Sequence, residues 1–454
     1  MSVASNAGDE VVSDRRQLVA YLESGCKPAS EWRVGTEHEK FLFREAGHGP
    51  VAYQGDDGVR ALLEGLKQFG WDGVYEGETL IGLTQGMANV SLEPGGQFEL
   101  SGAPLDSMHD TAAEVASHLA QVKQVAGPLG IGALGMGFQP ALRREDALWM
   151  PKGRYAIMRA YMPKRGGEGH DMMLRTCTIQ ANLDFESEEC MVKKFRMALA
   201  AQPIATALFA ASPFKDGKPS GFKSRRAQVW TDTDPDRTGD LPFVFEPGFG
   251  FERYIDYALD VPMYFVLRDG KYIDVSGQSF RDFMVGKLHG LPGELPTMSD
   301  WADHMTTIFP EVRLKKYLEM RGGDGGPESH ITALPAFWTG LLYDKAALVA
   351  AWDLVKGWTQ EDRATLKAAV PRDALAATVA GRTVRDVARD LLAISRAGLK
   401  NRALLNAAGA DEGIFLDPLD HIVETGMTLA DEALALYHGA WNGSVDPAFE
   451  RYAY

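Results

Sequence analysis

Thr176-Cys177-Thr178-Ile179-Gln180-Ala181-Asn182-Leu183-Asp184-Phe185 alternates without a break. Thr176, Thr178, Gln180, Asn182 and Asp184 fall on one side, and Cys177, Ile179, Ala181, Leu183 and Phe185 on the other. A period of two is the signature of a strand. The stretch from Glu311 to Arg321 reads the same way: Glu311, Arg313, Lys315, Tyr317, Glu319 and Arg321 lie opposite Val312, Leu314, Leu318 and Met320, with only Lys316 out of pattern. This predicts a second strand, one face of which is charged. After the first strand Ser187 is placed as an N-cap, Glu188 and Glu189 suit a positive helix end, and Met191, Phe195, Ala198 and Leu199 form a stripe. Met263 to Leu267 and Tyr272 to Val275 flank Arg268-Asp269-Gly270-Lys271, a hairpin signal. These elements favour an α+β fold with an antiparallel or mixed sheet over a doubly wound parallel one. Two accounts of the polar faces remain open. They look at water, or the sheet packs on helices with one side and folds round a polar cavity with the other.

The whole chain has 454 residues, 45% hydrophobic and 24% charged, which excludes a disordered, collagen-like or coiled-coil protein. Its net charge of −15 argues against an extended nucleic-acid or anionic-membrane surface, so any anion must be met by locally concentrated cations. Cys26, Cys177 and Cys190 are too few and too irregular for a disulfide framework or a zinc site. Met1 to Val12 has no apolar core and reads as no leader, and Met197 to Ser212 is shorter than the roughly 20 residues of a membrane span. A cytoplasmic location is expected. Residues 14–340 mix strands and helices. Residues 341–454 read as mainly helical: Thr383 and Asp386 form a capping box before the stripe Val384, Val387, Ala388, Leu391 and Leu392, with Gly398 expected to end that helix. Similar patterns run from Asp344 to Val355 and from Leu429 to Tyr437. The expected role of this region is structural.

Acidic segments carry the candidate chemistry. In Gly35-Thr36-Glu37-His38-Glu39-Lys40-Phe41 the strand period puts Glu37 and Glu39 on one face and His38 on the other. Ser91 to Leu100 places Glu93 and Glu99 around Pro94, Gly95 and Gly96, a break in the strand. If these four meet Glu319, they cannot all stay ionised unaided, because two unit charges about 4 Å apart repel by roughly 4 kcal/mol at an effective dielectric of 20. Protons or divalent cations must neutralise them, and an oxygen-only set suits Mg²⁺ or Mn²⁺ better than zinc. A solvated strand face is the competing account. Cations recur in Lys223, Arg225 and Arg226 before Trp230, in Lys152, Arg154 and Arg159, and in Arg313, Lys315 and Arg321. Two motifs are set aside. Gly130, Gly132 and Gly135 satisfy GxGxxG but follow a helix rather than a strand, and Asp232, Asp234 and Asp236 open like a calcium loop whose required Gly and Glu are Arg237 and Phe243.

Together, GTEHEKF (Gly35–Phe41), SLEPGGQFELSGAP (Ser91–Pro104), MPKGRYAIMRAYMP (Met150–Pro163), LRTCTIQANLDF (Leu174–Phe185), VWTDTDPDRTG (Val229–Gly239) and TTIFPEVRLKKYLEMRGGDGGP (Thr306–Pro327) resemble the plant-type glutamate-cysteine ligases, the branch found in plants and many proteobacteria. The resemblance implies a glutamine-synthetase-like catalytic domain at 14–340, its curved, mainly antiparallel sheet forming a half-barrel or funnel covered by helices. It implies ATP-dependent ligation of the γ-carboxylate of glutamate to the amine of cysteine through a γ-glutamyl phosphate. Carried over by motif, Glu37, Glu39, Glu93, Glu99 and Glu319 become ligands of Mg²⁺ or Mn²⁺. Arg321 touches the transferring phosphoryl group, Arg226 and Trp230 bind glutamate, and Asn182 and Arg154 line the same pocket. The plastid leader of the plant enzymes is not seen, so a bacterial cytoplasm is expected. Expected partners are glutamate, cysteine and ATP, with no nucleic acid or membrane, for a monomer or homodimer. The rivals are a ligase of the same fold with a different amine, a metal-dependent amide hydrolase, and a silent binding protein.

Overall fold

The computed structural model describes residues 7–454; residues 1–6, part of the Met1–Val12 stretch read above as no leader, lie outside the described residues. Nine strands make one open sheet: β1 (Val34–Arg44), β2 (Asp72–Glu76), β3 (Thr79–Gln85), β4 (Ala88–Leu92), β5 (Phe98–Ser101), β6 (Ile131–Leu134), β7 (Thr178–Leu183), β8 (Val312–Leu314) and β9 (Leu318–Asp324). The order is β8-β9-β7-β1-β5-β4-β3-β2, with β6 on the far end of β1. Every pairing is antiparallel. The fold is α+β with no closed barrel, as expected.

The helices that matter to the site are α1 (Met108–Ala126), α2 (Gly153–Tyr161), α3 (Glu188–Leu208), α4 (Arg225–Trp230), α5 (Glu328–Leu342), α6 (Gln360–Asp373) and α7 (Val384–Arg402). On one side of β7, Ile179, Ala181 and Leu183 enter the main core with Phe195, Ala198 and Leu199 of α3 and Ile331 and Leu334 of α5. Ser187 caps α3 as expected, its hydroxyl accepting from the Cys190 amide. The other side of the sheet keeps its polar residues and is roofed by α2, α4 and the helix Gly169–Arg175, so the cavity account of the polar faces is the one observed. The alternation in β1 also explains its length: beyond Glu37 and Glu39, Phe41 and Phe43 carry the same face into a satellite core with Leu134, Phe449 and Tyr452.

Three expectations change. The Glu311–Arg321 strand is a tight hairpin, with Leu314 opposite Leu318 and Arg313 opposite Glu319. Facing residues of an antiparallel pair point to the same side, so the alternation passes through the three-residue loop undisturbed. The Thr176–Phe185 strand is two residues shorter at each end. Gly398 does not end a helix: α7 runs on to Arg402, and a Cβ at Gly398 would stand 1.9 Å from the Gly340 carbonyl oxygen of α5. Glycine is there because two helix backbones touch. The Phe265–Arg268 and Lys271–Asp274 hairpin is present, turning through Asp269 and Gly270 at positive φ. In the set-aside motif, Gly130 makes a left-handed turn and Gly132 lies in β6. No helix among the described residues is long and apolar enough to cross a membrane.

Candidate active site

The register of the sheet assembles the site. Glu39 of β1 lies directly opposite Glu99 of β5, Glu99 opposite Ser91 of β4, and Glu37 opposite Gln180 of β7. Side chains of directly opposite residues share a face at about 5 Å between Cβ atoms, so the polar rows form a continuous acidic strip. Glu37, Glu39, Glu93 and Glu99 line one cavity with Gln180, Arg154, Arg226, Trp230, Phe309 and Arg321. Glu93 comes from the loop after β4, where its amide donates to the Gln97 carbonyl (2.9 Å) and Gly96 takes positive φ.

Three of these four carboxylates are partly tied. Glu39 accepts from the Thr178 amide (2.9 Å), Glu37 from the Asn182 side-chain amide (2.9 Å), and Glu99 from the Ser91 hydroxyl (2.7 Å). These bonds do not offset the crowding. Burial, then the charges of Glu99 and Glu93, push Glu39 well above the ordinary carboxylate range. Burial and Glu99 raise Glu93, and burial and Glu319 raise Glu37. Glu37, Glu39 and Glu93 therefore resist ionisation, whereas Glu99 is held down to about 2, and the three raised carboxyls would ionise fully only with cations present.

Glu319 is placed differently. It is fully buried and bonded to Arg313 and to Arg321 (2.9 Å), with Lys315 at 3.4 Å. Burial opposes its ionisation, but Arg313, Lys315 and Arg321 outweigh that and hold its carboxyl well below the usual range. It is not among the residues that line the cavity, and its charge is paired with three cations. Arg321, bonded to Glu319 and to Gln180 Oε1 (2.6 Å), does reach the cavity wall. Asn182 lies behind Glu37 rather than on the wall, with its Oδ1 unpartnered.

Arg226 and Trp230 sit one turn apart on α4 and share a face. Their Nε and Nε1 donors are buried without partners. The start of α4 is pinned by the buried Asp324, which accepts from Ser212 Oγ (2.5 Å), from Ser224 Oγ (2.7 Å) and from the Ala211 amide (2.9 Å). Ser224 is the N-cap of α4, so the helix has one orientation relative to β9. Arg226 also donates to the Arg321 carbonyl (2.9 Å). Sequence reading missed Gln180 as a wall residue, although it stands in the polar row, and Phe309, which nothing in the pattern singles out.

The fit of a divalent cation can be judged from the donors. Among the described residues no three His, Cys, Asp or Glu side chains converge on one point. Magnesium is usually held by one or two carboxylates with water and substrate phosphates completing the shell, and buried carboxyls that repel one another in pairs meet that need. Glu37, Glu39, Glu93 and Glu99 offer such carboxyls on the cavity wall, and Glu319 stands behind it on its three cations.

The model of glutamate-cysteine ligase family 2 (GCS2) matches residues 33–451. The chain is 56% identical over 441 residues to the chloroplastic glutamate–cysteine ligase of Brassica juncea, covering 97% of this chain and 84% of that protein. It is 57% identical over 441 residues to the chloroplastic glutamate–cysteine ligase of Arabidopsis thaliana, covering 97% and 83%. The glutamate–cysteine ligase of Francisella tularensis, solved in complex with AMP, superposes with a TM-score of 0.55 at 13% identity, covering 90% of this chain and 85% of that one. At that identity the likeness is one of fold. The cytoplasmic location expected from the sequence is overturned by the relatives, which are named chloroplastic and point to a plastid instead.

Proposed function

We propose that this chain, which belongs to glutamate-cysteine ligase family 2, joins the γ-carboxylate of L-glutamate to the amine of L-cysteine at the expense of ATP, giving γ-glutamylcysteine. The observation that carries the reading is the opposition, across one cavity, of four buried glutamates and the Arg226, Trp230 and Arg321 side chains. A carboxylate is inert to amines, so its γ-oxygen first attacks the terminal phosphorus of ATP, forming γ-glutamyl phosphate and releasing ADP. The cysteine amine then attacks the acyl carbon, loses a proton, and phosphate leaves.

In this scheme the unpartnered donors of Arg226 and Trp230 hold glutamate, with Arg154 on the same wall. Arg321 meets the transferring phosphoryl group, its guanidinium fixed by Glu319 and Gln180 so that no reorganisation is needed as charge develops. Glu319 serves as the counter-ion of that arginine. Trp230 and Phe309, with ring centroids 5.9 Å apart, shield the acyl phosphate from water. Magnesium or manganese held by Glu37, Glu39, Glu93 and Glu99 would neutralise phosphate oxygens. Residues 14–340 carry the chemistry and the helices of 341–454 buttress it, in a monomer or homodimer.

The test is mass detection of γ-glutamylcysteine from ATP, glutamate, cysteine and Mg²⁺, run beside a panel of other amines. Product with cysteine supports the reading. ATP-dependent product only with another amine would replace it by a ligase of the same fold, and amide cleavage without ATP by a hydrolase.

A further inference from the structure

A second chamber adjoins the acidic one, sharing Arg226, Trp230, Phe309 and Arg321 with it and continuing past Thr206, Thr231, Gly239, Glu311 and Lys367. Most of its polar groups are committed. Thr206 donates to the Gln202 and Gly322 carbonyls and Thr231 to the Gln228 carbonyl. Arg226 bonds the Arg321 carbonyl, and Arg321 bonds Glu319 and Gln180. What remains is an opposed pair: Lys367 Nζ stands 3.2 Å from Glu311 Oε1, both about one quarter exposed. Gly239, at φ +98°, leaves room for the ammonium, since a Cβ there would come within 3.2 Å of Lys367 Nζ. Glu311 is tied to the reaction side by its backbone, because its carbonyl accepts the Arg321 amide (3.0 Å).

We propose that Lys367 and Glu311 select the acceptor as a zwitterion, Lys367 taking its α-carboxylate and Glu311 its α-ammonium. This rests on the ligase reading above. A free amino acid carries both charges on groups attached to one carbon, and a Lys–Glu pair a hydrogen bond apart can exchange its mutual contact for two contacts of opposite sign. Lys367 lies on α6, in the helical region from which the sequence suggested only structural support. The amine would then wait beside Arg321, where the acyl phosphate forms.

The experiment compares cysteine with cysteamine, which is cysteine without its carboxylate, as acceptors for wild-type enzyme, Lys367→Met and Lys367→Arg. Loss of one solvent-accessible charge contact corresponds to at most about a fivefold change in affinity. Lys367→Met is expected to raise the KM for cysteine about fivefold while leaving those for cysteamine, glutamate and ATP within about twofold, and Lys367→Arg to restore most of the preference. A purely structural ion pair would move both acceptors together. Equal changes for the two acceptors, or an unchanged KM for cysteine, would overturn the assignment of Lys367. Should Lys367→Met prove unstable, Glu311→Gln gives an independent reading: it should raise the KM of both amines and spare glutamate, and no effect on either amine would overturn the assignment of Glu311. Wild-type enzyme that couples neither amine would overturn the ligase reading itself, whereas normal coupling with unaltered selectivity sinks only this inference.

Discussion

Glu39 and Glu319 look alike in the sequence, each an acidic residue in an alternating strand, and the structure gives them opposite energetic roles. Glu39 faces other carboxylates and is costly to ionise; Glu319 faces three cations and is costly to neutralise. Glu39→Gln therefore relieves repulsion, so the thermal midpoint should hold or rise while turnover falls by roughly a hundredfold or more with loss of charge stabilisation. Glu319→Gln leaves Arg313 and Arg321 buried without their counter-ion and should cost about 3–5 kcal/mol in denaturant unfolding, as breaking a buried ion pair does. Equal stability of the two variants would mean that Glu319 is not the counter-ion. The strand period told which face each glutamate occupies. It could not tell what lies opposite, because Arg313 reaches Glu319 only through the hairpin that the alternation concealed.

Between α5 and α7 a similar reversal appears. A glycine in a helix interior is ordinarily worth replacing, since alanine gains up to about 1 kcal/mol of helix propensity. Here Gly398→Ala should instead lose about 1–3 kcal/mol, because its Cβ would press on the Gly340 carbonyl and the helices would have to part. Urea unfolding of this variant checks the sign, and a gain would mean that the crossing is more open than it stands. The stripe Val384, Val387, Ala388, Leu391 and Leu392 foretold the helix and its buried face, and all five are buried. The end of the helix was misread because glycine serves both as a stop signal and as a site of close approach, and only the neighbouring helix distinguishes the two uses.

Across the molecule, acid stability follows from buried histidines. His304, whose Nε2 meets the Ala258 carbonyl at 2.8 Å, and His330 are each pushed down to about 4, in both cases by burial. Their unfolded value is about 6.5, so between these limits the unfolded chain binds more protons and stability rises with pH. Each contributes on the order of 3 kcal/mol that is fully present above about pH 6.5 and lost as pH falls toward 4. The urea midpoint should drop between pH 7.5 and 5, and the drop should narrow in His330→Gln; an undiminished drop would assign the acid sensitivity to other groups. The strand faces, the capping serine of α3, the acidic segments and the family could all be read along the chain, because each is written in local spacing and residue type. Which carboxylates share a cavity, which one is consumed by arginines, and how Lys367 comes to stand beside Glu311 were fixed by packing and register, since side chains on different strands and helices acquire their partners only when those elements are brought side by side.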